Sequence, residues 1–126
     1  MDESNRVAKR EKEDVARNMR NVEISKEDPE FSGPVTKLIG IIGERETPGG
    51  LPVGTKHLIW LAVQCALKQE PTYIRGHMRT ALNHGYTLQQ ILEAIEVTVP
   101  SSGYPSFLHG YHIWKEIREE MKNKSE

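Results

Sequence analysis

The sequence predicts an all-α protein: a single-domain helical bundle of five or six helices that assembles through helix packing between subunits. Three observations carry that reading. Apolar residues recur at helical spacing through most of the chain. Proline and glycine stand where helices would start and stop. Only Val97-Thr98-Val99 resembles a strand, and three residues are too few to build a sheet. The length, 126 residues, suits one domain.

Residues 1–28 form a charged N-terminal helical arm, and residues 29–126 form the helical domain. In the arm, Val7, Val15, Met19 and Val22 make only a thin apolar stripe. Such a segment buries too little to offset an ordering cost of about 1–2 kcal/mol per residue. It is either partly disordered or laid against another surface. After Ser32-Gly33, Pro34 suits the first turn of a helix carrying Val35, Leu38, Ile39, Ile41 and Ile42, closed by Gly43. Residues 47–52, Thr-Pro-Gly-Gly-Leu-Pro, form a loop.

Thr55 is the expected N-cap of a helix over 56–69 that is apolar nearly all round, as suits the centre of a bundle. Glu70-Pro71 breaks it, and Pro71 begins the next helix, which runs to Asn83 with Gly85 as its C′ glycine. Thr87-Leu88-Gln89-Gln90 has the form of a capping box, starting a helix through about Val97. Residues 100–105 read as a second loop. From Pro105 a last helix reaches about Lys122, with Phe107, Leu108, Tyr111, Ile113, Trp114 and Ile117 for packing.

Composition excludes several classes. Lys and Arg total 17 against 18 Asp and Glu, a formal charge of −1, which argues against nucleic acid as a partner. The longest apolar run, residues 58–63, falls far short of the roughly 20 residues a bilayer span needs, so no membrane partner is expected. The charged first twenty residues carry no apolar h-region, so a cytoplasmic protein is expected. A single cysteine, Cys65, excludes an intrachain disulfide and any two-thiol mechanism within one subunit.

His77, mid-helix, is a candidate general acid or base near neutral pH; the competing reading is a core histidine bonded to a backbone carbonyl. Thr80, Ala81 and His84 share its face, whereas Arg75 and Arg79 lie about 160° round the helix. His109, His112 and Glu116 are spaced i, i+3, i+7, but an exposed polar face explains them and no metal is expected. Cys65 reads as a small buried hydrophobe. Tyr104, between Gly103 and Pro105, either lines a pocket or simply packs. Glu93 and Glu96 are either an acid/base pair or solvated surface.

Four segments in order resemble the carboxymuconolactone decarboxylase family: residues 56–63 (Lys-His-Leu-Ile-Trp-Leu-Ala-Val), 77–87 (His-Met-Arg-Thr-Ala-Leu-Asn-His-Gly-Tyr-Thr), 90–95 (Gln-Ile-Leu-Glu-Ala-Ile) and 103–106 (Gly-Tyr-Pro-Ser). The resemblance spans about 51–108 and extends to the alkylhydroperoxidase D-like group, which shares the fold. It implies an all-helical subunit that assembles into trimers or hexamers with sites near subunit contacts. The departures are specific. Glu70 and Tyr73 stand where the hydroperoxidase branch carries Cys-x-x-Cys. His57 or Leu58 replaces the glutamate of the helix start, Gln90 replaces the first glutamate of the penultimate helix while Glu93 matches the second, and Pro100-Ser101-Ser102 replaces an Ala-rich approach.

The resemblance implies a cofactor-free carboxy-lyase acting on a small carboxylated lactone or related acid, of the kind met in aromatic-compound catabolism. His77 would be the proton donor or would polarise the lactone carbonyl, with His57 sharing that role. Lys56 or Arg79 would bind the substrate carboxylate, Tyr104 would close the pocket, and Glu93 completes the candidate substrate-binding set. The alternative is a non-catalytic oligomeric binding or scaffold protein of the same fold. Hydroperoxide reduction would be open only through Cys65 acting singly. Size argues for a homo-oligomer too: a domain this small buries only about two-thirds of its unfolded surface, and the apolar 56–69 helix needs partners on every side.

Overall fold

The computed structural model describes residues 22–124. Most of the expected N-terminal arm, residues 1–21, lies outside the described residues. The chain divides into two compact units, residues 1–45 and 46–126. Among the described residues every regular element is helical.

In the first unit residues 22–27 are helical, and α1 follows as Pro29–Glu44. α1 starts at Pro29 rather than Pro34. The Asp28 side chain accepts the Phe31 N–H at 3.2 Å, and Pro29 occupies the first turn. A capping carboxylate followed by proline is a stronger start signal than Pro34 alone. Pro34 therefore sits inside the helix, where it forgoes one backbone bond.

The second unit contains α2 (Val53–Ala66), α3 (Pro71–Asn83), α4 (Leu88–Glu96), α5 (Val99–Ser102) and α6 (Tyr104–Lys124). α2 packs against α3, α4 and α6, which makes it the central helix that its composition predicts. It begins at Val53, and Pro52 is its N-cap residue. Thr55, the expected cap, instead shares a short hydrogen bond between its Oγ1 and the Tyr86 hydroxyl. The helix ends at Ala66, short of the expected Gln69. Lys68 takes a left-handed conformation (φ +52°), and the Gln69 N–H bonds the Gln64 carbonyl at 2.9 Å, closing the end.

Pro71 begins α3, and Gly85 (φ +95°) follows its end as expected. The capping box at α4 is complete. The Thr87 Oγ1 accepts from the Gln90 N–H, and the Gln90 Oε1 accepts from the Thr87 N–H. Residues 100–105 are not a plain loop. Val99–Ser102 forms the short α5, and Gly103 (φ +90°) turns the chain into α6. No strand forms at Val97-Thr98-Val99, where the chain passes from α4 into α5.

The core comprises Leu61 and Cys65 of α2, Ile74, Met78 and Ala81 of α3, Ile91 and Ile95 of α4, and Ile113, Trp114 and Ile117 of α6. Two glycines set how closely the helices approach. A Cβ at Gly110 would lie 2.7 Å from the Cys65 Sγ and 2.8 Å from the Ile95 Cγ2. One at Gly54 would lie 2.7 Å from the His84 Cβ. On the outer side of α2, Ile59, Val63 and Leu67 remain exposed. No described helix is long and apolar enough to cross a membrane.

Candidate active site

α2 and α3 are joined by a tight connection at residues 67–70 and share the most extensive helix–helix contact of the unit. That register places His57 of α2 against His77 of α3, and their Nδ1 atoms are 2.8 Å apart. His57 falls on the inner stripe of α2 with Leu61 and Gln64, at i+4 and i+7, and is only 6% exposed. His77 is half-buried. Trp60, one turn along from His57, stacks on His77 with centroids 4.3 Å apart and planes at 28°, and lies 5.7 Å from the His57 centroid.

This geometry dictates the chemistry. A bond between two Nδ1 atoms needs a proton on one ring and a lone pair on the other. In the neutral pair the rings are therefore opposite tautomers. One added proton gives an imidazolium–imidazole pair that keeps the bond; a second removes the acceptor and breaks it. His77 meets His57 through Nδ1, and its Nε2 lies across the ring from that contact. A pair of this kind stores one proton that it can give or take back.

The other expected residues are placed differently. Lys56 is half-buried beside His57 in sequence. The Arg79 guanidinium is turned to α6, where its Nη2 meets the Glu120 carboxylate at 3.1 and 3.5 Å. Arg75 makes the matching rung with Glu116 at 2.9 Å. Glu93 accepts from the Gln89 side chain at 3.1 Å on the exposed side of α4. It also borders a shallow groove of about 280 Å³ with Leu58, Ala94 and Val97. Tyr104 is 58% exposed and stacks on Phe107. The two histidines are thus brought together, while Arg79, Glu93 and Tyr104 engage other neighbours.

The i, i+3, i+7 set on α6 does not converge either. His109 bonds the Gln69 carbonyl through Nε2 at 2.8 Å, and Glu116 faces Arg75. Among the described residues no group of three or more His, Cys, Asp or Glu side chains could hold a metal ion. Cys65 is fully buried, and that burial pushes its thiol from 9.0 up to about 12. A thiol so held supplies almost no thiolate near neutrality, which argues against Cys65 as a nucleophile.

Trp60 is the site residue that the sequence reading missed, counting it only as apolar filling. Its i+3 spacing from His57 was the available signal. A second concavity, of about 370 Å³, lies at the start of α2 between Pro52, Gly54, Thr55, His84 and Tyr86.

The chain belongs to the carboxymuconolactone decarboxylase family, whose model matches residues 29–116. No curated protein and no solved structure matches it.

Proposed function

We propose that the protein is a cofactor-free carboxy-lyase acting on a small carboxylated lactone or related acid. The observation that carries this reading is the 2.8 Å contact between the His57 and His77 Nδ1 atoms. The resemblance puts the family's functional histidine at His77 and its helix-start acid at His57 or Leu58, and the contact favours His57 for the second. In this reading the bond from the substrate carbon to its carboxylate breaks and carbon dioxide leaves. The electron pair passes into the substrate's adjacent π-system. The singly protonated pair then delivers a proton from the His77 Nε2 to the carbon. After transfer both rings are neutral, the His77 Nδ1–H still donating to the His57 Nδ1, and one proton from solvent restores the pair. Lys56 or Arg79 holds the substrate carboxylate, Arg79 by exchanging the Glu120 carboxylate for it. Tyr104, exposed at the start of α6, closes the site from a neighbouring copy.

A homo-oligomer, trimer or hexamer, belongs to the same proposal. Ile59 and Val63 of α2 and Leu67 just past its end are 49%, 49% and 64% exposed, an apolar stripe at i, i+4, i+8 on the outer side of the central helix. A second copy would cover it. Light scattering at micromolar concentration is expected to report more than one subunit, and a monomer would contradict the assembly. The balanced charge, 17 Lys and Arg against 18 Asp and Glu, fits a small-molecule enzyme better than a nucleic-acid binder.

The alternative is a non-catalytic oligomeric binding protein of the same fold. An ultraviolet assay of 4-carboxymuconolactone turnover separates the two. The lyase reading expects turnover in the parent and a loss of about 10²-fold or more in His77→Ala. Equal rates in both would remove His77 from the chemistry, and no turnover with this or related lactones would favour the binding protein.

A further inference from the structure

We propose that α1 is a self-pairing helix: its apolar face docks on the same face of α1 in a second copy of this chain, a contact that doubles the assembly. The pairing rests on the homo-oligomer proposed above and adds a second surface to it. α1 is 16 residues long, and at about 100° per residue Phe31, Val35, Leu38 and Ile42 fall within about 60° of one another. Ile39 and Ile41 flank them, roughly 80° to either side. The charged residues Glu30, Lys37 and Glu44 gather within about 40° of one another, centred about 130° away. The helix therefore has its own solvent face, and the apolar one is not it. Yet Phe31 is 60% exposed, Leu38 56%, Ile42 51%, Ile39 48% and Ile41 41%, while Val35 is half-buried.

The size and pattern of the face select its occupant. Five large side chains at these exposures leave roughly 500 Å² of apolar surface in water, at the upper end of what a monomer carries. Joining two such faces removes roughly 1,000 Å² from side chains alone, which reaches what a specific interface needs. The steps from Phe31 to Val35, Leu38 and Ile42 are 4, 3 and 4 residues, the repeat that lets a like helix interdigitate as knobs into holes. All the charged side chains of α1 lie outside the face, so two copies meet there without like-charge repulsion. A helix of 16 residues is held only marginally by its own backbone bonds in water. Covering the face therefore also adds to what keeps α1 helical.

Light scattering of the full chain tests the pairing with variants at Leu38, near the middle of the helix. The parent is expected to carry an even number of subunits. Leu38→Glu and Leu38→Lys should each halve the mass, because like charges then face each other across the seam, while circular dichroism stays close to that of the parent. An equimolar mixture of the two should restore the parental mass, because opposite charges then meet. Leu38→Ala, which adds no charge, should need a concentration at least about tenfold higher than the parent to keep the full mass. Lys37→Glu, on the charged face, should change nothing. A parental mass in the two charged variants, with the alanine variant assembling at parental concentrations, would overturn the pairing and leave the homo-oligomer standing. A mixture that stays at half mass would overturn it too, since α1 would then meet some other surface. A monomeric parent would overturn both the pairing and the homo-oligomer.

Discussion

Replacing Gly110 by alanine tests the packing that holds the site together. The new Cβ would sit 2.7 Å from the Cys65 Sγ, 2.8 Å from the Ile95 Cγ2 and 3.3 Å from the Ile95 Cδ1. Cys65 and Ile95 are both 0% exposed, so neither can swing into solvent. Alanine in the interior of α6 gains about 1 kcal/mol over glycine in helix propensity. Overpacking a closed core costs about 1–3 kcal/mol, and two contacts below 3.0 Å put this case at the upper end. The net expectation is a loss of about 1–2 kcal/mol in urea denaturation followed by far-ultraviolet circular dichroism. Adding Cys65→Ala removes the sulfur but leaves the Ile95 contacts. The double variant should therefore recover part of the loss, a coupling of at least about 0.5 kcal/mol. A Gly110→Ala protein as stable as the parent, or additivity in the double variant, would refute the close approach of α2 and α6.

Two further outcomes follow from the buried polar groups. The Cys65 thiol, raised from 9.0 to about 12 by burial, stays protonated in the fold after it ionises in the unfolded chain. Its contribution to stability is therefore whole below pH 9 and is lost as pH rises from there toward 12. The slope is on the order of 1 kcal/mol per pH unit and should vanish in Cys65→Ala; a slope unchanged in that variant would contradict the burial. Arg79→Ala leaves Glu120, with a side chain only 15% exposed, without its cation. That should cost about 1–3 kcal/mol by urea denaturation, whereas Arg118→Ala, which loses the half-exposed pair with Glu119, should cost well under half of that.

Much of the fold is legible in the sequence because its signals are local. Pro71, Gly85 and the Thr87–Gln90 box act within one helical turn and need no tertiary context. The misread boundaries are those where two signals compete. Asp28-Pro29 outranks Pro34 at the start of α1, and Thr55, a sound N-cap by type, is drawn to Tyr86 across the bundle. The Pro-Ser-Ser run at 100–102 has loop composition, yet a proline in a first turn tolerates one helical turn before Gly103.

The site was partly legible for the same reason. Helical angles alone turn Arg75 and Arg79 away from His77, and both meet carboxylates of α6, Glu116 and Glu120, which repeat their i, i+4 spacing. The pairing of His57 with His77 was not legible. It depends on the register of α2 against α3, fixed by the left-handed Lys68 and the tight connection after it, and a one-residue change there would rotate His57 off the shared face. Trp60 follows from that same register, so its stacking could not be read before the pair itself.

The central claim is that His57 and His77 act as one unit, and a kinetic cycle tests it most directly. Turnover of 4-carboxymuconolactone is compared for the parent, His57→Gln, His77→Ala and the double variant. Residues that act as a unit lose their contributions together. The account predicts that each single change is severely damaging and that the double variant is no slower than the slower single one, within about threefold. Losses that multiply, or a His57→Gln protein at the parental rate, would contradict it.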